Sequence, residues 1–183
     1  MLSGEGVCMN ADKAQYFVGV TGHRHLPQER LNVISSQVME YFSSEIARKG
    51  TDNITVLSAL AEGSDTLCAK LALDMGLRLI VPLPMSALEY RKDFSQQAVG
   101  DFDCLLSMAE QVFVARPEEP VPPDPNRGFY YRQVGIFVAR HCDALLAVWN
   151  GSERDTPDGA GTWETVKLVR EAGKPIHRVA IEQ

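Results

Sequence analysis

Short apolar runs alternate with longer segments of helical period along nearly the whole chain, and this alternation limits the fold more than any other feature. A strand covered on both faces reads as an unbroken β-branched or apolar run, and parallel strands need a crossover, usually a helix, between them. The pattern therefore predicts an α/β domain: three layers, α/β/α, around a mostly parallel sheet of about six strands.

Tyr16 to Val20 reads as the first strand and runs into Thr21-Gly22-His23-Arg24. Beyond Pro27, the residues Leu31, Ile34, Val38, Tyr41, Phe42 and Ile46 recur at helical spacing until Gly50 stops them. Ile54 to Leu60 is the second strand. It leads through Ala61-Glu62-Gly63-Ser64-Asp65 into a helix whose apolar face holds Leu67, Cys68, Leu71, Ala72 and Met75, with Ser64 as the expected N-cap. Leu77 to Leu83, ended by Pro82 and Pro84, is the third strand and Gln111 to Ala115 the fourth, with helical stretches at Ser86 to Arg91 and Phe94 to Met108 between them. Residues 116–127 carry five prolines in twelve positions, which excludes helix interior and central strand and leaves a surface loop or lid. Gly128 to His141 is helical, Ala144 to Trp149 a strand, Thr162 to Ala172 a last helix capped by Gly173, and Ile176 to Ile181 a last strand. No internal repeat or second domain is visible, so residues 16–183 are expected to form one domain behind a flexible leader, 1–15.

Composition narrows the function. A chain of 183 residues, 45% hydrophobic and 23% charged, suits one self-sufficient core. A formal charge of −6 gives no general attraction to a nucleic-acid backbone, which makes nucleic acid an unexpected partner. Cys8, Cys68, Cys104 and Cys142 are far apart with no CxxC pair, so neither a zinc site nor a disulfide framework is indicated, and they are expected to be reduced, buried and inert. The N-terminal residues lack the basic start and apolar run of a signal peptide, and no segment has the ~20 apolar residues of a membrane span. A cytoplasmic protein without membrane contact is expected.

Ligands of open α/β sheets bind outside the carboxyl ends of the strands, where helix N-termini present free amides and a positive dipole end. Three loops fall there: Thr21-Gly22-His23-Arg24, Glu62-Gly63-Ser64-Asp65 with Ala61 before it, and Asp158 to Thr162 with Gly159 and Gly161. Glycine lets amides approach an anion and a hydroxyl can donate to it. None is a GxxxxGK[ST] loop and the first lacks GxGxxG, which weakens ATPase and dehydrogenase readings. Arg24, Arg132 and Arg127 are the candidate phosphate partners, Arg24 the best placed. His23 and His25 lack a third ligand for a metal, so no metal is expected and His23 is read as a donor to phosphate or an acid/base. Glu62 and Glu164 are the candidate catalytic carboxylates, although an acidic residue in a first helical turn also stabilises the helix dipole. His141 and His177 are read as structural.

At these residues the chain resembles the SLOG superfamily, the Rossmann-like group of the Lonely-guy (LOG) nucleotide phosphoribohydrolases and of DNA-processing proteins. The motifs are V-G-V-T-G-H-R at 18–24, L-S-A-L-A-E-G-S-D at 57–65, A-L-L-A-V-W-N-G at 144–151 and G-A-G-T-W-E-T at 159–165. The resemblance implies a nucleotide or nucleotide-derived small molecule bound at the strand ends, with the chain acting as a sensor or binding module, Trp163 or Tyr131 near the base, no further cofactor, and a homodimer. It also implies an alternative, hydrolysis or transfer at the N-glycosidic bond of a nucleoside monophosphate, as in LOG enzymes or nucleoside deoxyribosyltransferases. LOG enzymes carry GGxGTxxE, whose glycines and threonine hold the phosphate and whose glutamate is catalytic. Gly159, Gly161 and Thr162 fall on the phosphate-holding positions, Thr165 falls on the glutamate position, and Glu164 stands one residue before it.

Overall fold

Ile54–Leu57 and Ala144–Val148 are buried along their full length, as expected of strands with helices on both sides. The structure, a computed structural model, describes residues 15–154, 156 and 159–181. Residues 1–14 of the expected leader, with Cys8, and Asp158 of the glycine loop lie outside the described residues.

Six strands, β1 (Tyr16–Gly22), β2 (Ile54–Leu57), β3 (Arg78–Leu83), β4 (Gln111–Val114), β5 (Ala144–Val148) and β6 (Ile176–Val179), form one sheet in the order β4-β3-β2-β1-β5-β6. Every pairing is parallel, with Val18 opposite Val56 and Val20 opposite Leu146. The helices are α1 (Leu31–Lys49), α2 (Ser64–Asp74), the single turn α3 (Ala87–Tyr90), α4 (Gln96–Met108), α5 (Arg127–His141) and α6 (Thr162–Glu171). One face of the sheet packs on Ile34, Val38 and Phe42 of α1, Cys68 and Ala72 of α2, and Phe102 and Leu105 of α4. The other packs on Val134 and Val138 of α5 and Val166 and Val169 of α6. The three-layer α/β/α, Rossmann-like architecture is thus the observed one.

Four local differences from the sequence expectation have physical causes. The second strand stops at Leu57, because the Ser58 hydroxyl accepts the Leu60 amide at 3.2 Å and turns the chain out of the sheet, with Leu60 at φ 55°. The third strand passes through Pro82 instead of ending there. β2 reaches only as far as the Leu57 to Ile80 pair, so nothing lies opposite Pro82 on that side to miss its N–H. Cys104 is exposed, unlike Cys68 and Cys142, because it lies on the outward face of α4. Ser64 is not the N-cap of α2 but its first helical residue; the cap is Gly63 at φ 96°.

That cap is where α2 meets the end of β1. A Cβ on Gly63 would stand 2.1 Å from the Arg24 carbonyl oxygen, and one on Gly22 would stand 2.5 Å from both Ser64 Oγ and the Val148 carbonyl oxygen. The Ser64 amide donates to the His23 carbonyl at 3.0 Å and its hydroxyl to the same oxygen at 2.8 Å, while the His23 amide donates to Val148 O at 3.0 Å. Gly63→Ala combines a disfavoured φ with a backbone clash, so it should lower the unfolding free energy by at least about 2 kcal/mol in urea titrations. A loss under about 0.5 kcal/mol would contradict this packing.

Candidate functional site

From β1 the chain moves outward through β2, β3 and β4, then returns to lay β5 on the opposite side of β1. Crossovers on the two sides of β1 cover opposite faces of the sheet, so the carboxyl ends of β1 and β5 border a crevice at a topological switch point. A cleft of about 540 Å³ opens there. The end of β1 contributes Thr21, Gly22, His23, Arg24 and His25; the β2 exit contributes Ala59, Ala61 and Asp65. Across from them stand Trp149, Asn150, Ser152, Arg154 and Thr156 after β5, and Ala160 to Thr165 at the start of α6. Tyr131, Val134, Gly135 and Val138 of α5 and the buried Tyr90 complete the wall.

Thr21, Gly22, His23, Arg24, Asp65, Gly161, Thr162 and Glu164 are therefore together on one cleft. Glu62, Gly63, Ser64, Arg132 and Gly159 are not on its wall. Gly63 and Ser64 are taken up in packing α2 against β1. Arg132 forms a two-point ion pair with Glu119, Nε at 2.9 Å and Nη2 at 2.7 Å. Gly159 lies against the third nitrogen of that guanidinium, which a Cβ would approach to 2.6 Å. Arg127 is likewise paired, with Asp93 at 2.7 Å and Glu89 at 3.8 Å.

The three carboxylates near the strand ends differ in occupation. Glu62 accepts the Ser95 amide at 3.0 Å and its hydroxyl at 2.6 Å, and these bonds, led by the hydroxyl, hold its carboxyl below the usual range. Glu164 lies partly buried, which alone would raise it, but the Thr156 amide and hydroxyl and the Gly161 amide, the last at 2.9 Å, hold it low instead. It closes the loop before α6 on itself. Asp65 is 6% exposed, and burial pushes it up to about 7 against the Ala61 amide bond and the Arg24 charge, which pull it down. Thr165, on the LOG glutamate position, is buried beside Gly135 and brings no carboxylate to the cleft.

Among the cations, Arg24 makes no ion pair with any described residue; its guanidinium lies over the Tyr131 ring, 5.4 Å from the centroid. His23 Nε2 is buried without a hydrogen-bond partner among the described residues. The first amides of α6, as at any helix start, have no partner within the helix. Trp149 and Trp163 stack, with centroids 6.0 Å apart and planes at 12°. Reasoning from glycine loops missed Trp149, Arg154 and Tyr90; the indole directly after a buried apolar strand was the available signal for Trp149. His141 stacks on Phe137 and His177 on Tyr41, away from the cleft.

The proline-rich segment does not line the cleft. It is tied to α5: the buried Gln133 carboxamide accepts the Glu118 and Glu119 amides at 2.8 and 3.2 Å, and Glu118 pairs with Arg140. Among the described residues no cluster of three metal-binding side chains occurs and no helix is long and apolar enough to cross a membrane.

No protein-family model matches the chain, and no curated protein matches it either. Among solved structures it is similar to DNA processing protein A (DprA) of Streptococcus pneumoniae, with a TM-score of 0.60 and 17% identity over 90% of this chain and 50% of that one. DprA of Helicobacter pylori, described for its single-stranded DNA binding mode, gives 0.56 and 15% over 90% of this chain and 65% of that one. The protein TM1055 gives 0.52 and 14% over 88% and 72%. The chain spans about half the length of the pneumococcal protein. At these identities the likeness is one of fold alone, a Rossmann-like α/β fold.

An unfolded aspartate titrates near about 3.9, whereas Asp65 in the fold keeps its proton to about 7. Between those values folding takes up a proton, so this residue costs stability as pH rises through the window. Asp65→Asn carries no charge, and its stability relative to wild type should rise from about pH 4 to about pH 8, by up to about 4 kcal/mol, in urea titrations at each pH. A difference that stays constant with pH would contradict the burial of this carboxyl.

Proposed function

We propose that the cleft binds a nucleotide or a related phosphorylated small molecule, and that binding is itself the function, as a sensor or binding module. One observation carries this reading: Arg24, which makes no ion pair among the described residues, stands with His23 Nε2, which has no hydrogen-bond partner among them, on one side of the switch-point crevice, and the start of α6 stands on the other. An anion at a helix N-terminus gains from free amides and from the dipole, and arginine suits phosphate by its planar fork. Trp163, Trp149 and Tyr131 supply aromatic faces for a base. The same reading takes residues 16–183 as one cytoplasmic domain that pairs as a homodimer.

A second reading, cleavage of an N-glycosidic bond, is favoured by Asp65 alone. It is the carboxyl on the cleft whose environment keeps it near neutral titration, as a general acid/base requires. Glu164 and Glu62, the carboxylates that the motifs pointed to, are held by Thr156, Gly161 and Ser95. Single-stranded DNA, the ligand of the Helicobacter DprA, fits less well with a net charge of −6.

The test is a panel of nucleoside mono-, di- and triphosphates and cyclic nucleotides, with thermal shift and released base followed together. Stabilisation without products is expected, and Arg24→Ala should weaken it by about tenfold or more while the apo protein stays folded, its melting changed only by the lost contacts with Tyr131 and Asp65. Released base that disappears in Asp65→Asn would replace the binding reading by the hydrolytic one. A panel without any stabilising or reacting member would overturn both.

A further inference from the structure

Arg132 stands between the proline-rich segment and the loop that leads into α6. Its Nε and Nη2 hold Glu119 of the proline-rich segment at 2.9 and 2.7 Å, while Nη1 faces Gly159, where a Cβ would come within 2.6 Å. The charge of Glu164, in the first turn of α6, also reaches this guanidinium. It therefore borders the loop that leads into the cleft without lining the cleft itself.

Its partner does not depend on it. Gln133 Nε2 donates to Glu119 Oε2 at 2.8 Å, and Gln133 is 1% exposed and so fixed in place. Glu119 would keep a donor if the arginine left. The Arg132 side chain is 45% exposed, so solvent screens its pair with Glu119, and a phosphate offers the same planar fork a more highly charged partner.

We propose that Arg132 is a second anion-binding residue of the cleft, held in reserve by Glu119 and given up to a ligand that carries a second phosphate beyond the one at α6. This rests on the reading of the cleft as a nucleotide site and adds a preference to it, for di- over monophosphates. It also couples the site to the surface: the move removes one of the ties between residues 116–127 and α5, so a diphosphate loosens the proline-rich segment and a monophosphate does not.

Calorimetric titration of the full chain with AMP and ADP, and with inorganic phosphate and pyrophosphate so that the result does not hinge on the base, tests this on wild type, Glu119→Gln and Arg132→Gln. Wild type should prefer the diphosphate of each pair by about fivefold. Glu119→Gln removes the competitor and should raise diphosphate affinity by a further factor of about five with monophosphate affinity unchanged, and Arg132→Gln should erase the preference. Amide exchange across 116–127 should quicken with ADP in wild type only. A mono-to-diphosphate ratio equal in all three proteins would overturn the second subsite and leave the cleft reading standing. Failure of wild type to bind any of the four would overturn the subsite, while the cleft reading falls only if the wider nucleotide panel fails as well.

Discussion

The contact on which the site depends is the close seating of the α2 N-terminus on the end of β1. With no Cβ at Gly22 or Gly63, Ser64 reaches the His23 carbonyl with both its amide and its hydroxyl, and His23 in turn bonds through its amide to Val148 at the end of β5. Three elements distant in sequence become one rigid corner. Arg24 and His25 leave that corner on the cleft side, and Arg24 is steadied over Tyr131 without being neutralised. The same hydrogen-bonding groups that suggest an anion cradle in the linear sequence thus serve to build the wall beside which an anion would sit.

Carboxylates of one chemistry are assigned different work by their surroundings. Glu62 ties the β2 exit to the start of α4 through Ser95, and Glu164 folds the loop before α6 onto Thr156 and Gly161. Both are stabilised as anions. Asp65 is buried with the single opposing influences of the Ala61 amide and Arg24, and holds its proton far longer. A cleft with one neutralisable acid and two arginines, Arg24 and Arg154, that make no ion pair among the described residues favours capture of an anion over general acid/base work by a pair of carboxylates.

The fold was legible because parallel strands covered on both faces leave unbroken apolar runs, so β2 and β5 stand out as I-T-V-L and A-L-L-A-V. Strand ends were less legible: the Ser58 hydroxyl stops β2, and Pro82 is tolerated in β3 because β2 is short. At the site, the loops at the carboxyl ends could be recognised from glycines and hydroxyls. Their division of labour could not, since it follows from β1 lying beside β5, a pairing between residues more than 120 positions apart such as Val18 and Ala144. The anchoring of the proline-rich segment was hidden for another reason. It depends on Gln133 and Arg132, polar residues inside a helix that apolar spacing passes over.

Both tryptophans of the chain line the cleft and stack on each other, which makes their emission a direct report of what enters it. Titration with the nucleotide that most stabilises the protein, followed by intrinsic tryptophan fluorescence, tests the central claim. A saturable change in emission with the same midpoint as the calorimetric binding curve is the predicted result. Calorimetric binding with unaltered emission would place the ligand elsewhere on the protein and contradict the assignment of the cleft.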